Sequence, residues 1–476
     1  MIDFQQLKPD SDQSAPLYLQ LYRRYRDAIS SGKFRPGDRV PSVRSLSSEL
    51  SLARGTVEAA YQMLANEGYF VPRGAAGTVV SAQLDGLTQP ARDLIDAAAL
   101  HPAHDTITWP TDPLPFQLGL PALDAFPRNV WARLAGRSVR TLEMAAMAYP
   151  DPAGYEPLRH AISAYLGISR GIVCSPEQVF VTAGYRGALE LIHRTLLKPG
   201  DVGWFEDPGY FYAREFLERA GMQLEPIPVD EEGLKVSVGQ QKAPRARFVV
   251  VTPTHQSPTG VALSLSRRLE LLEWAGRQAW IIEDDYDSEF RYQGRPLPAL
   301  KSLDRVGRVL YTGTFSKVLF PGLRLGYLVV PASQVARFRE SVNHLSGPGS
   351  IVLQATVADF LERGHFGRHL RKMRSLYRAR RGYLVEALEQ RLPKILKVQP
   401  QSGGIHILAK LVGSMNDRVV ARGAHVEGLA IRPLSDWGMR RSSQGGLLMG
   451  FANFGSADDA DEGVRRLRAV LARMGG

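Results

Sequence analysis

Three textures follow one another along the chain. From residue 15 to about 81, apolar residues recur at helical spacing in short runs broken by sharp turns. Leu17, Leu21, Tyr25, Ala28 and Ile29 mark one face of a helix over residues 17–31. Arg35-Pro36-Gly37-Asp38 reads as a turn, and Ser42 behind Pro41 can cap a second helix that runs to Leu50. After the turn Ser51-Leu52-Ala53, a longer helix is predicted over 54–68, with Val57, Ala60, Tyr61 and Leu64 on its buried face. Tyr69-Phe70-Val71 and Thr78-Val79-Val80 then flank Arg73-Gly74-Ala75-Ala76-Gly77, a pattern of two short strands around a glycine loop.

Residues 82–115 lack periodicity and contain Pro90, Pro102, Pro110, Pro113 and Pro115, which predicts a linker. From 116 to 476, continuous apolar runs alternate with helical stretches. Phe248-Val249-Val250-Val251-Thr252, Trp280-Ile281-Ile282-Glu283-Asp284 and Arg308-Val309-Leu310-Tyr311-Thr312 read as strands, with a helix over 267–278 between the first two. Such runs predict an α/β domain around a mostly parallel sheet buried on both faces. The predicted organisation is therefore a small head at 15–81, a linker at 82–115 and a large domain at 116–476.

Composition narrows the setting. A chain of 476 residues with 44% hydrophobic content exceeds one compact domain. The net charge of +11 permits a polyanionic partner without identifying one. Cys174 is the single cysteine, so neither an intrachain disulfide nor a cysteine-rich zinc site is expected, and no metal is. The polar segment 1–12 lacks the apolar core of a signal peptide, and no run of about 18 apolar residues predicts a membrane span. The expected location is the cytoplasm.

The head pattern is a helix-turn-helix with a wing. It resembles the GntR family of winged-helix regulators over about 65 residues. The matching stretches are Leu17-Tyr18, residues 32–41, Ser42-Val43-Arg44-Ser45-Leu46, Arg54-Gly55-Thr56-Val57 and Leu64-Ala65-Asn66-Glu67-Gly68-Tyr69. The resemblance implies contact with a double-stranded DNA operator through Arg44, Arg54, Thr56 and a wing centred on Arg73 and Gly74. Arg54 and Thr56 open the second helix of the motif. There, backbone N–H groups favour phosphate and side chains can reach base edges. Gly55, where such heads often carry a polar side chain, and Glu58, one turn on, depart from the pattern. Charge alone does not identify this head: residues 17–80 hold nine Lys/Arg against five Asp/Glu, a net of only +4.

In the large domain the central segment is Thr312-Gly313-Thr314-Phe315-Ser316-Lys317, with Arg324 seven residues on. A lysine just past a strand end suits covalent attachment to a carbonyl, because strand ends of parallel sheets face the ligand crevice. The hydroxyls and Arg324 suit a phosphate dianion. Alone, a Ser-Lys pair is more often solvated surface; its companions carry the reading. Glu283-Asp284-Asp285-Tyr286-Asp287 ends the preceding strand and offers a carboxylate for a protonated pyridine nitrogen and a phenol for a ring oxygen. Thr182-Ala183-Gly184-Tyr185-Arg186-Gly187-Ala188-Leu189 is a strand, a glycine turn and a helix start, where N–H groups can cradle phosphate. Thr252-Pro253-Thr254-His255-Gln256-Ser257-Pro258-Thr259-Gly260 is a loop at a further strand end, in which His255 reads as structural.

In this order the segments resemble fold-type-I aminotransferases, and with the head they resemble the MocR subfamily of GntR regulators over nearly the whole chain. The resemblance implies pyridoxal 5′-phosphate as cofactor, with Lys317 as the Schiff-base lysine. It sets Asp284 against the pyridine nitrogen and Tyr286 against the phenolic oxygen. Arg324, Thr314, Ser316, Gly184 and Tyr185 would hold phosphate, and Tyr210 would pack near the ring. Tyr149 would reach the partner subunit's site, which implies a homodimer. Two departures point away from sustained turnover, leaving half-reactions of the aminotransferase type. Ser257 stands where the enzymes often have Asn, and the late strand Leu447-Leu448-Met449-Gly450-Phe451 lacks the arginine that receives a substrate carboxylate. The nearest candidates are Arg432, Arg440 and Arg441.

These features imply a transcription regulator responsive to a small amino compound or to pyridoxal phosphate itself, controlling genes of amino-compound or vitamin B6 metabolism. A pyridoxal phosphate-dependent aminotransferase with an accessory head stays open, as does a cofactor sensor acting by protein contact alone. Residues 363–381 hold eight Lys/Arg and no acid, a pattern read as a solvated helix face or as added DNA contact.

Overall fold

The structure, a computed structural model, describes residues 4–10, 15–84 and 112–474, apart from 277, 293, 295, 296, 346, 348 and 441–444. The chain divides into two compact units, Met1–Trp109 and Pro110–Gly476. Most of the expected linker, residues 85–111, lies outside the described residues.

In the first unit, helix α1 (Leu17–Ser30) buries Leu21, Tyr25, Ala28 and Ile29. Helix α2 (Val43–Glu49) starts where the Ser42 side chain accepts from the Ser45 N–H at 3.1 Å. Helix α3 (Arg54–Asn66) buries Val57, Ala60, Tyr61 and Leu64, the stripe its spacing predicts. Strands β1 (Arg39–Val40), β2 (Phe70–Pro72) and β3 (Thr78–Val80) form an antiparallel sheet in the order β1-β3-β2. β2 and β3 pair around Gly74–Ala76, which is the wing. The core is aromatic: Tyr25, Tyr61 and Phe70 meet edge to face with centroids 5.1–5.7 Å apart. The two phenols also satisfy one another at 3.2 Å, and Tyr61 donates to the Pro41 carbonyl at 2.9 Å.

The second unit is built on strands β4 (Val179–Thr182), β5 (Val202–Asp207), β6 (Gln223–Asp230), β7 (Gly233–Leu234), β8 (Phe248–Val251), β9 (Trp280–Asp285), β10 (Val309–Thr314) and β11 (Gly326–Val329). They form one sheet in the order β4-β11-β10-β9-β8-β5-β6-β7. The pairs from β10 through β9, β8 and β5 to β6 are parallel, while β11 runs antiparallel to both its neighbours. The sheet is thus mixed and mostly parallel. Successive residues of one strand enter opposite cores. Ile282 and Leu310 join one cluster, Ile281 and Val309 another, so the runs carry no polar alternation. A smaller antiparallel sheet orders β12 (Leu396–Val398), β13 (His406–Leu411), β14 (Arg432–Pro433) and β15 (Gly446–Gly450) as β12-β13-β15-β14.

In the large domain two elements differ from the sequence reading by two residues or more. The helix expected over 267–278 spans Leu265–Ala275, because the Ser264 side chain caps its start by accepting from the Arg267 N–H, and Gly276 at φ +45° ends it. β10 continues past Thr312 to Thr314, held by antiparallel pairing of Gly313 with Tyr327 and Thr314 with Gly326.

One buried ion pair locks a helix to this sheet. Arg170, at the C-terminal end of the helix Glu156–Arg170, lies 3.0 Å from Asp285 and 3.5 Å from Glu289. Replacing it by methionine strands two buried carboxylates. Arg170→Met should cost about 3–5 kcal/mol, read as a lowered midpoint in equilibrium urea unfolding followed by tryptophan fluorescence.

Candidate cofactor site and nucleic-acid interface

The carboxyl ends of parallel strands point to one edge of a sheet, which is where α/β proteins place ligands. Here that edge carries Glu206 from β5, Thr252 behind β8, Asp284 from β9, and Thr314 and Lys317 at and beyond the end of β10. The three consecutive acids of β9 divide their work. Glu283 accepts from the N–H groups of Leu300 and Lys301, both at 2.8 Å. Asp285 takes Arg170 and accepts from the Tyr311 hydroxyl at 2.6 Å and from Ser288. Asp284, also buried, has no ion-pair partner among the described residues. Burial pushes its carboxyl well above the usual carboxylate range, and Asp285 and Glu206 push it further. A cationic pyridine nitrogen beside it would supply the missing counter-charge.

Lys317 follows β10 by three residues, and its Nζ donates to the Gly119 carbonyl at 2.7 Å. Burial lowers its amine from the usual lysine value, which favours the neutral, nucleophilic form, while Asp287 and Asp284 oppose this. Gly119 has φ +79°, and a Cβ there would stand 2.8 Å from Nζ. That segment, Gln117-Leu118-Gly119, was not assigned to the site in the sequence; only its glycine marks it.

The phosphate-type groups also converge. Gly184 opens the helix Gly184–Leu196 at φ +75°. Thr314 pairs with Gly326 across β10 and β11, and a Cβ on Gly326 would lie 3.0 Å from the Gly184 Cα. Gly326 therefore lets the helix start, the end of β10 and the turn bearing Arg324 close on one another. Arg324 itself sits at φ +50°, a left-handed conformation costing a non-glycine residue about 1–2 kcal/mol. Ser316 donates its N–H to Thr314 Oγ1 at 3.2 Å. Tyr185 and Tyr210 lie with ring centroids 6.2 Å apart, and the Tyr185 hydroxyl stands near Asp284 with no well-aligned hydrogen-bond partner. Arg186, two residues into this helix, lies over the Tyr212 ring with its guanidinium 5.3 Å from the centroid.

On the other side, Ser257 neighbours Tyr286, whose hydroxyl meets His255 Nδ1 at 3.0 Å. Asp287 reaches the same nitrogen at 3.0 Å. Tyr149 is fully exposed, along with Met144 and Met147 just before it. A late-strand arginine is absent: β15 is wholly buried and Leu448 packs with Leu408 and Trp437. Of the candidates, Arg440 pairs with Glu225 at 2.9 Å, Arg432 is exposed on β14, and Arg441 lies outside the described residues. The residues present thus fit a phosphorylated pyridine aldehyde: a desolvated lysine, an uncompensated buried acid, and a helix start ringed by hydroxyls and arginines.

In the head, Arg44, Arg54, Arg73 and Gly74 are exposed and Thr56 is half-buried. Arg54 is already engaged by Glu58, Nε to Oε1 2.9 Å, one turn along α3. Of the basic stretch 363–381, much is structural. Arg380 is buried against Asp124, and Arg374 and Arg378 donate to the Glu289 and Tyr292 carbonyls. Arg371 and Lys372 remain on the outer face. Among the described residues no helix is long and apolar enough to cross a membrane.

Residues 17–80 match the family of bacterial regulatory proteins called gntR, and residues 125–431 match aminotransferase class I and II. The chain is 36% identical to the probable rhizopine catabolism regulatory protein MocR of Rhizobium meliloti, over 98% of this chain and 96% of that one. It is 33% identical to the pyridoxine biosynthesis transcriptional regulator PdxR of Corynebacterium glutamicum, over 98% and 97%. Among solved structures, LysN of Thermus thermophilus, an alpha-aminoadipate aminotransferase complexed with N-(5′-phosphopyridoxyl)-L-leucine, superposes with a TM-score of 0.69. It is 28% identical and covers 81% of this chain and 99% of its own. Pyridoxal phosphate is the cofactor of this unit.

Burial raises the Glu206 carboxyl to about 7 despite hydrogen bonds from Thr252 and Gln256. Its folded value lies above the unfolded one, so the stability it contributes is full below about pH 4.5 and is lost as pH rises through about 7. Glu206→Gln should flatten the fall in urea midpoint over that window. Glu283, raised likewise, leaves part of the slope in place.

Proposed function

The chain belongs to the gntR family of bacterial regulators, in the branch that carries an aminotransferase-like domain, and from that premise we propose a transcription regulator whose grip on a DNA operator is set by a ligand at the Lys317 site. The observation that carries this reading is the pairing of two complete devices in one chain. One is an exposed winged helix-turn-helix with Arg44, Arg54 and Arg73 outward; the other is a lysine site with its acid, phenol and phosphate groups.

In this reading Lys317 holds the cofactor and Asp284 balances its ring nitrogen. Tyr286 and Ser257 face its ring oxygen, and Tyr210 packs near the ring. Gly184, Tyr185, Thr314, Ser316 and Arg324 hold the phosphate. Bound there, pyridoxal phosphate would supply an electrophilic carbon for primary amines. The effector is then a small amino compound or pyridoxal phosphate itself, and the regulated genes serve the metabolism of one or the other. The lack of an arginine on β15, a wholly buried apolar strand, favours ligand sensing over turnover of amino acids. It also weighs against the alternative of an aminotransferase with an accessory head.

The protein acts as a homodimer in this proposal. Met144, Met147 and Tyr149 form an exposed apolar segment that a second copy would cover. The linker at 82–115 joins head and large domain, and a ligand shifts the two heads only by its differential affinity for their arrangements.

The test uses the full-length protein and DNA flanking its own gene. Lys317→Ala should lose the visible absorbance of the bound cofactor and still shift the DNA fragment, but no amino compound should then alter that shift. An unchanged visible band, or a mutant that still answers to the effector, would overturn the assignment. Arg54→Ala should weaken operator binding by about 1–3 kcal/mol if it reads a guanine. Titrations on operator and scrambled DNA separate this from a phosphate contact, which would weaken both alike.

A further inference from the structure

His255 reads from sequence as a structural histidine, yet its surroundings give it a more specific task. It sits in the loop after β8, buried, with Nδ1 facing two groups. The Asp287 carboxylate lies 3.0 and 3.2 Å from that nitrogen, and the Tyr286 hydroxyl lies 3.0 Å from it. The other ring nitrogen, Nε2, is buried without a partner. The ring is fixed from below as well, since a Cβ on Gly404 would stand 2.1 Å from it.

One nitrogen cannot serve both neighbours in the same way. If Nδ1 carries no hydrogen, its lone pair faces the Asp287 carboxylate at hydrogen-bond distance, which is repulsive, and the Tyr286 hydrogen is spent on the histidine. If Nδ1 carries the hydrogen, it donates to Asp287, and its lone pair is no longer available to Tyr286. Second-sphere carboxylates select histidine tautomers by this means. Asp287 thus puts the hydrogen on Nδ1, and the Tyr286 O–H must turn to an acceptor elsewhere.

We propose that Asp287 and His255 form a positioning pair that aims the Tyr286 hydroxyl hydrogen into the Lys317 site, toward the ring oxygen of the bound cofactor. The inference rests on the placement of the cofactor argued above. His255 acts through Tyr286 and touches no reacting atom. A donor aimed at that oxygen favours its anionic form, and so lowers the pH at which the cofactor bound to Lys317 gains its proton.

The other charges facing this cluster are few. Asp284 and Glu206 act on Tyr286 from β9 and β5, as does Asp287. Lys317 feels Asp287 and Asp284. His406, on β13, lies 5.7 Å from His255 between centroids and meets the Pro258 carbonyl through Nε2 at 3.2 Å. Burial and His255 hold its value down to about 4, so it stays neutral across the useful range.

The experiment follows the visible absorbance of the protein loaded with pyridoxal phosphate as a function of pH. His255→Leu, which removes the donor at similar size, should move the spectral midpoint upward by about one unit, the scale of one hydrogen bond to a charged acceptor. Tyr286→Phe should move it in the same direction. His255→Asn, which keeps a donor where Nδ1 stands, should stay nearer the parent than His255→Leu and guards against a folding defect. In the His255→Leu/Tyr286→Phe double variant the shift should fall well short of the sum, because one residue acts through the other. If Tyr286→Phe moves the midpoint and His255→Leu does not, or if the two shifts add in full, the positioning pair is wrong while the cofactor placement stands. If neither variant moves it, the placement of Tyr286 against the ring oxygen falls, and the pair falls with it.

Discussion

Negative charge buried at the end of a sheet is the constraint around which the large unit is arranged. Glu206, Glu283, Asp284, Asp285 and Asp287 are all buried at or next to the carboxyl ends of β5 and β9. Water cannot solvate them there, so each must find a hydrogen-bond donor, a cation or a proton. Glu283 finds the backbone of 300 and 301, Asp285 finds Arg170, Asp287 finds His255, and Glu206 finds Thr252 and Gln256. Asp284 has the Tyr185 hydroxyl beside it but no cation among the described residues. A cation would fit that place, and the lysine beyond the next strand feels the same carboxylate.

Much of this was legible in the sequence. The acids of 283–287, the lysine after the following strand and the glycine turn at 184 are local words. Each sits at a strand end that the apolar runs make plain; β9 and β10 are neighbours, while β4, before the glycine turn, stands one strand further off beyond β11. What was not legible depends on chain reversal or on competition between neighbours. Gly119 lies almost 200 residues before the lysine whose amine it accepts, and locally only the glycine itself marks it. Which of three adjacent acids keeps a free face is settled by Arg170, on a helix more than 100 residues upstream. His255 was read as structural because a lone histidine usually is. Its importance comes from sharing one nitrogen between two partners, a property of three side chains in space.

The head gives the opposite case. Its helices, turn and wing were readable because they are short, local and bounded by caps and glycines, and the structure differs only by a residue or two at the ends. Two members of its aromatic core follow from the same periodicity, since Tyr25 and Tyr61 fall on the predicted inner faces of their helices. The basic helix of 363–381 shows where such reading stops. A run of arginines looks like a surface for polyanions, yet Arg374, Arg378 and Arg380 are spent on carbonyls and Asp124 inside their own unit.

The pair between Arg54 and Glu58 bears on how the head would search. An exposed pair of this spacing is weak, about 0.3–0.5 kcal/mol, and costs little to break. At a distance, however, the carboxylate cancels the guanidinium, so the tip of α3 offers little field to the diffuse charge of a duplex. Attraction to arbitrary DNA would then fall on the surrounding arginines, and Arg54 would gain only where two acceptors on a base edge stand close enough to replace Glu58. A reader built this way is loosely held almost everywhere and firmly held only where the letters match, which trades residence on random sequence for speed of travel along it.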